Sequence, residues 1–304
     1  VPEMGGTPIS IECADGFVLG GHRWTPEPPD EGPLRVVIVT AATGVPATYY
    51  HRYAAFLEEN GFHAITFDYR GIGASRPEHL RDMRCRWQDW GRLDFDAVVA
   101  HVRSQWPDAE IAVVGHSVGG VVPLWAARSV EITRMLTVGG QYNYWRDWAP
   151  SVRRRFFWRW KVATPTLAAL YGYLPAKRLG WMEDVPRGVA FECARRRRRM
   201  EDNYPRRERP GVRATAAAID ASILAVATTD DDYGTVSALR RPLDYLPDAP
   251  RIQVMIPPAA LGHGSIGHFG LFHSRHRDDF WRMSLRWLDD GENPWPDLVV
   301  WSSP

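Results

Sequence analysis

An α/β architecture, with a mostly parallel central sheet flanked by helices, follows from three features of this 304-residue sequence. Short unbroken runs of Val, Ile, Leu and Ala recur along the chain, the pattern of strands covered on both faces. Stretches of helical periodicity separate them, and that alternation implies parallel strands joined by helical crossovers. One arginine- and tryptophan-rich block, residues 141–215, breaks the rhythm without a clear buried strand, so it reads as a helical insertion after the sixth strand.

The elements follow in order. Pro8–Cys13 and Phe17–Trp24 predict two strands joined by the turn Ala14-Asp15-Gly16. Thr25–Gly32, rich in Pro and acid, predicts a loop, and the Val/Ile run Leu34–Thr40 a buried strand. Tyr49–Asn60 has helical periodicity and stops at Gly61, a C-cap residue. Phe62–Asp68 is the next buried strand, Asp89–Trp106 a helix, Ile111–Val114 the fifth strand and Ile132–Val138 the sixth. After the insertion come strand Ile223–Ala227, a helix near Thr235–Tyr245, strand Arg251–Ile256 and a closing helix at about Arg275–Asp290. Residues 1–140 and 216–304 thus form the core, and 141–215 is expected to lie as a lid over the carboxyl ends of the strands.

Bulk properties narrow the class. Apolar content of 45% and charged content of 24% are ordinary for a globular chain. No apolar run approaches the roughly 20 residues needed to span a bilayer, and no charged-then-apolar leader opens the sequence. Cys13, Cys85 and Cys193 are odd in number and scattered. They fit neither a disulfide framework nor zinc-ligand spacing, and predict inert thiols in a reducing, cytoplasmic compartment. A pI near 7.9 gives nucleic-acid binding no support.

Chemistry is signalled first at Gly115-His116-Ser117-Val118-Gly119. The apolar run before it and the expected buried helix Gly120–Ala127 after it make this G-x-S-x-G a nucleophile elbow, with Ser117 exposed at a strained turn. A serine needs a base and a group that orients the base. Gly267-His268-Phe269-Gly270 lies after strand Arg251–Ile256, at the carboxyl edge where Ser117 also emerges; His263, between two glycines, is the alternative. His273 and His276 fall at or within the closing helix and read as surface residues. The carboxylate is expected after strand Ile223–Ala227, where Asp230, Asp231 and Asp232 are adjacent. Three like charges cannot all be buried, so one turns inward; Asp231 is the first choice and Asp230 the second. Backbone N–H groups of Val118 and of Gly44 or Val45, on the loop after Leu34–Thr40, are the candidate oxyanion donors.

With these residues assembled, the chain resembles the α/β-hydrolases, in particular bacterial hydrolases near the serine aminopeptidase and monoacylglycerol-lipase-like branch. The likeness covers nearly the whole chain. Asp68-Tyr69-Arg70-Gly71-Ile72-Gly73-Ala74-Ser75 is similar to the family's D-x-R-G-x-G-x-S segment, and Gly267-His268-Phe269-Gly270 to its histidine loop. The resemblance implies the triad Ser117–Asp231–His268, the acid standing just after the seventh strand. One departure is Ala42-Thr43-Gly44, where the family often has His-Gly in its oxyanion loop. The implied activity is hydrolysis of a carboxylic ester through an acyl-enzyme on a small-molecule acyl substrate, without metal or organic cofactor. An acyltransferase, a thioesterase or a non-catalytic ligand-binding homologue are the alternatives.

The insertion holds 18 Lys and Arg against 7 Asp and Glu. Its arginines, including Arg153–Arg155 and Arg195–Arg199, read as a solvated face, as attraction for an anionic substrate, or as a dock for an anionic membrane surface. Its Trp145, Trp148, Trp158, Trp160 and Trp181 read as packing or as the lining of an apolar acyl pocket.

Overall fold

The computed structural model describes residues 5–27 and 34–303, so residues 28–32 of the expected Thr25–Gly32 loop lie outside the described residues. Among the described residues, nine strands form one sheet in the order β1-β2-β4-β3-β5-β6-β9-β10-β11. These are β1 (Thr7–Glu12), β2 (Val18–Trp24), β3 (Arg35–Thr40), β4 (His63–Phe67), β5 (Glu110–His116), β6 (Ile132–Val138), β9 (Ser222–Thr228), β10 (Arg251–Ile256) and β11 (Val299–Ser302). The six from β4 to β10 are parallel, while β1, β2 and β11 pair antiparallel at the edges. The burial of the strands explains the arrangement. Every residue of β4 is buried, as are all but the first of β3 and β5, so helices must cover both faces.

Those helices are α1 (His51–Glu59), α2 (residues 87–105), α6 (Val236–Leu243) and α7 (residues 277–290). Between β6 and β9 the chain adds α3 (residues 153–171), a ribbon of β7 (Tyr173–Leu174) with β8 (Val185–Pro186), α4 (Arg187–Arg195) and α5 (Arg209–Ala217). Apolar side chains of this segment, Trp148, Phe156, Val189 and Cys193 among them, belong to the same continuous core as the sheet.

Three expectations are corrected. The stretch after Ser117 is a run of short 3₁₀ turns, Ser117–Gly120 and Val122–Trp125, instead of a buried α-helix. Gly119 and Gly120 are poor helix formers, and Pro123 removes an N–H from the next turn. Strand β11 and the β7–β8 ribbon were not foreseen. His276, expected at the surface, is fully buried, its ring 4.5 Å from that of His263.

Topology already places a site. The chain runs from β3 to its neighbour β4 and then crosses to β5 on the other side of β3. Strand order reverses there, and the loops leaving β3 and β5 diverge at their carboxyl ends to open a crevice. The first loop is Ala41–Pro46 and the second begins at Ser117. Asp68 pins the far end of the first loop: its carboxylate accepts the N–H of Ala47 at 2.7 Å and of Ala74 at 2.9 Å.

Candidate active site

Ser117 is held with φ +54°, a left-handed conformation costly for a residue with a Cβ. The flanking glycines allow it. A Cβ on Gly115 would stand 2.6 Å from the carbonyl oxygen of Gly119, and one on Gly119 would stand 2.2 Å from that of Thr40. The hydroxyl lines a cavity of about 650 Å³ that also exposes His268, Gly44, Val45, Gln141, Phe156, Trp160, Trp181 and Tyr233.

Of the three adjacent acids, Asp231 turns inward. Its Oδ2 is 2.8 Å from His268 Nδ1, and its Oδ1 accepts the N–H groups of Tyr233 at 2.8 Å and Gly234 at 2.7 Å. Burial alone would raise its pKa, but the His268 charge and these hydrogen bonds outweigh burial and hold it below the usual carboxylate value. Asp230 does different work, accepting the N–H of Ile266 at 2.8 Å and of Gly267 at 3.1 Å to fix the loop entering the one-turn helix Gly267–Gly270. His263 faces Asp279 at 3.1 Å, in a cluster with His276 away from this cavity. The structure therefore brings Ser117, Asp231 and His268 to one rim, and leaves Asp230 and His263 elsewhere. The Ser117 hydroxyl itself accepts from Gln141 Nε2 at 3.3 Å and is not hydrogen-bonded to His268.

Gly139 explains how close the imidazole and carboxylate can sit to β6. Its φ is +57°, and a Cβ there would lie 2.9 Å from Asp231 Oδ2 and 3.0 Å from the His268 ring. On the loop after β3, Val45 already donates its N–H to Ala42 O at 3.1 Å, which removes it as an oxyanion donor. Gly44, also at positive φ, remains on the cavity wall beside Thr43. Val118 is the second residue of its turn, where an N–H has no intrahelical acceptor.

Two sets of residues escaped the sequence. Gln141 is fixed by its own Oε1, which accepts the Asn143 N–H, so that its amide nitrogen faces Ser117. A buried chain then runs from the Ala42 N–H to the Tyr50 hydroxyl (3.0 Å), from that hydroxyl to His116 Nδ1 (2.7 Å), and from His116 Nε2–H to the His268 carbonyl (2.9 Å). Burial, with the His268 charge, pulls the His116 pKa down to about 3, so the ring is neutral and supplies one acceptor and one donor.

Aromatic groups of residues 141–215 line the cavity. Phe156 stacks on Tyr233 at 4.3 Å, and Trp160 Nε1–H donates to the Tyr233 hydroxyl at 3.1 Å. Trp160 and Trp181 line the cavity, Trp148 is buried packing and Trp158 is exposed. The arginine run is not one solvated face: Arg196 is 3% exposed, with its guanidinium 3.7 Å from the Trp87 ring centre. The three cysteines are buried and free, and no helix among the described residues is long and apolar enough to cross a membrane.

Comparison with known proteins bears on the family and the fold. The family described as serine aminopeptidase, S33, matches residues 32–236. No curated protein matched the chain. Among solved structures, a soluble variant of monoglyceride lipase from Saccharomyces cerevisiae, in complex with a substrate analogue, is similar at TM-score 0.64 and 16% identity, covering 95% of this chain and 97% of that one. A hypothetical protein from Pseudomonas aeruginosa is similar at TM-score 0.64 and 15% identity, covering 95% and 94%. An esterase from Pyrococcus furiosus is similar at TM-score 0.55 and 15% identity, covering 93% and 91%. At such identities the likeness is one of fold, that of an α/β-hydrolase.

Proposed function

The chain belongs to the serine aminopeptidase S33 family of α/β-hydrolases, and from that premise we propose that it is a serine hydrolase cleaving a carboxylic ester of a small-molecule acyl substrate. Ser117 attacks the carbonyl carbon, and His268 Nε2 takes the hydroxyl proton and returns it to the leaving alcohol. Asp231 keeps the other proton on Nδ1 and stabilises the imidazolium. Backbone N–H groups of Val118 and Gly44 face the developing oxyanion. Water, deprotonated by the same histidine, then releases the acid. The observation that carries this reading is the 2.8 Å contact of His268 Nδ1 with Asp231 Oδ2, on one cavity with a serine at positive φ. That contact leaves Nε2 as the nitrogen available to the serine.

Residues 141–215 act as the lid in this scheme, and their aromatic side chains line the acyl pocket; the basic character of the block suits an anionic substrate. Three buried, unpaired thiols fit a cytoplasmic protein. The aromatic side chains on the cavity wall also support transfer of the acyl group to an acceptor other than water, since excluding water from the acyl-enzyme favours that outcome. Nitrophenyl esters of graded chain length, run beside acyl-thioesters and with Ser117→Ala as control, test the proposal. Turnover that vanishes in Ser117→Ala is expected; full turnover in that variant would refute it.

A further inference from the structure

Two arginines of the inserted segment line the reaction cavity with no carboxylate partner among the described residues. Arg155 and Arg159 stand one turn apart on α3, and both line the cavity that holds Ser117 and His268. Arg159 belongs to the π-helical stretch Trp158–Ala163, a local widening of the kind often found at functional sites. Its guanidinium lies 4.3 Å from the Trp181 ring centre and 5.8 Å from that of Trp160, while its Nε is buried with no hydrogen-bond partner among the described residues. Arg155 lies over Phe156 at 5.5 Å.

Nothing nearby absorbs this charge. The other positions three and four residues away along the chain, Ser151, Val152, Phe156, Trp158, Val162 and Ala163, carry no acid. Glu183, on the same cavity wall, pairs with Lys177 at 3.0 Å, and Asp231 is committed to His268. Burial, with the Arg155 charge, pushes the Arg159 pKa below its usual value. A half-buried cation beside a like charge opposes folding unless something compensates it. Stacking on tryptophan fixes the guanidinium plane and leaves its N–H edge to meet an anion in a forked geometry.

We propose that Arg155 and Arg159 form an anion subsite within the cavity, so that the preferred acyl substrate carries a carboxylate or phosphate group. This deepens the hydrolase reading and rests on it. The anion belongs to the acyl half or to the leaving group, and matched substrate pairs separate the two. On the acyl side, the mono-nitrophenyl ester of adipic acid is compared with its neutral methyl nitrophenyl diester. On the other side, butyryl-coenzyme A is compared with the butyryl thioester of N-acetylcysteamine.

In one pair kcat/KM for the anionic member is expected to exceed that of the neutral one by about 10- to 100-fold, the size of a charge-assisted contact. The double change Arg155→Gln with Arg159→Gln brings that ratio towards unity, chiefly through KM. Arg155→Gln alone, on the more exposed residue, lowers it partway should the double variant fold poorly. Arg207→Gln, at a side chain 87% exposed outside the cavity, leaves the ratio in place. Calorimetric titration of Ser117→Ala with adipate and with coenzyme A reads the subsite without turnover, and one of them is expected to bind more weakly after the arginine changes. Ratios near unity in both pairs, or binding indifferent to the arginines, would overturn the subsite. Binding that depends on the arginines in a protein hydrolysing no ester would instead overturn the hydrolase reading alone.

Discussion

Asp231→Asn changes the site by one charge at nearly constant volume, and the local geometry dictates its effect. Oδ1 of Asp231 accepts two backbone N–H groups, at 2.8 and 2.7 Å, while Oδ2 faces His268 Nδ1 at 2.8 Å. An asparagine has only one acceptor oxygen. Presenting its NH₂ to Tyr233 and Gly234 would strand two buried donors, at about 1–3 kcal/mol each. The oxygen therefore stays with the backbone and the NH₂ is aimed at Nδ1. That nitrogen must then lose its proton to accept, and the proton moves to Nε2, where the Ser117 proton should go. The same tautomer error in an unrelated protease triad costs about ten-thousand-fold in kcat, or roughly 5.5 kcal/mol. Hydrolysis of nitrophenyl butyrate at neutral pH, beside a thermal melt, is the assay. The variant should melt close to the parent while losing about three to four decades of kcat. Asp231→Ala should lose stability as well, since it strands both donors. A kcat for Asp231→Asn within tenfold of the parent would refute the reasoning.

Two further outcomes follow from the same geometry. Gly139→Ala pushes a methyl to 2.9 Å from Asp231 Oδ2 and 3.0 Å from the His268 ring, and the displaced pair should cost about a hundredfold in kcat/KM; parent-like kinetics would contradict the close approach. His116, with a folded pKa of about 3 against 6.5 for the free side chain, binds a proton in the unfolded chain before the folded one. Its contribution is therefore complete above pH 6.5 and is lost as pH falls towards 3, by about 2–3 kcal/mol between pH 7 and 4.5. Urea unfolding at those two pH values should show a smaller drop in His116→Gln; an equal drop would remove His116 from the acid response.

Much of this architecture is legible in the sequence because its strands are buried on both faces. Runs such as Val36–Val39 and Ile111–Val114 have no polar alternation to confuse their reading, and the elbow between β5 and Ser117 is a local signature. That one of three adjacent acids turns inward was legible too, since three like charges cannot all be desolvated; that it is Asp231 was implied by the family resemblance alone. β11 was not, because Val299 and Val300 are 37% and 48% exposed and the strand pairs along a single edge. Gln141 and the Tyr50–His116 chain depend on contacts across 24 and 66 residues, which leave no periodicity to detect. Arg196 misled for a different reason. Composition marks a run of arginines as solvated, yet a guanidinium is flat and weakly hydrated enough to stack under tryptophan.

The most direct measurement is covalent capture of the nucleophile. A fluorophosphonate probe, followed by digestion and peptide mass mapping, should place one adduct on Ser117. Labelling should disappear in Ser117→Ala and slow by orders of magnitude in His268→Ala. A protein that takes up no probe, or carries it on another residue, would contradict the serine mechanism outright.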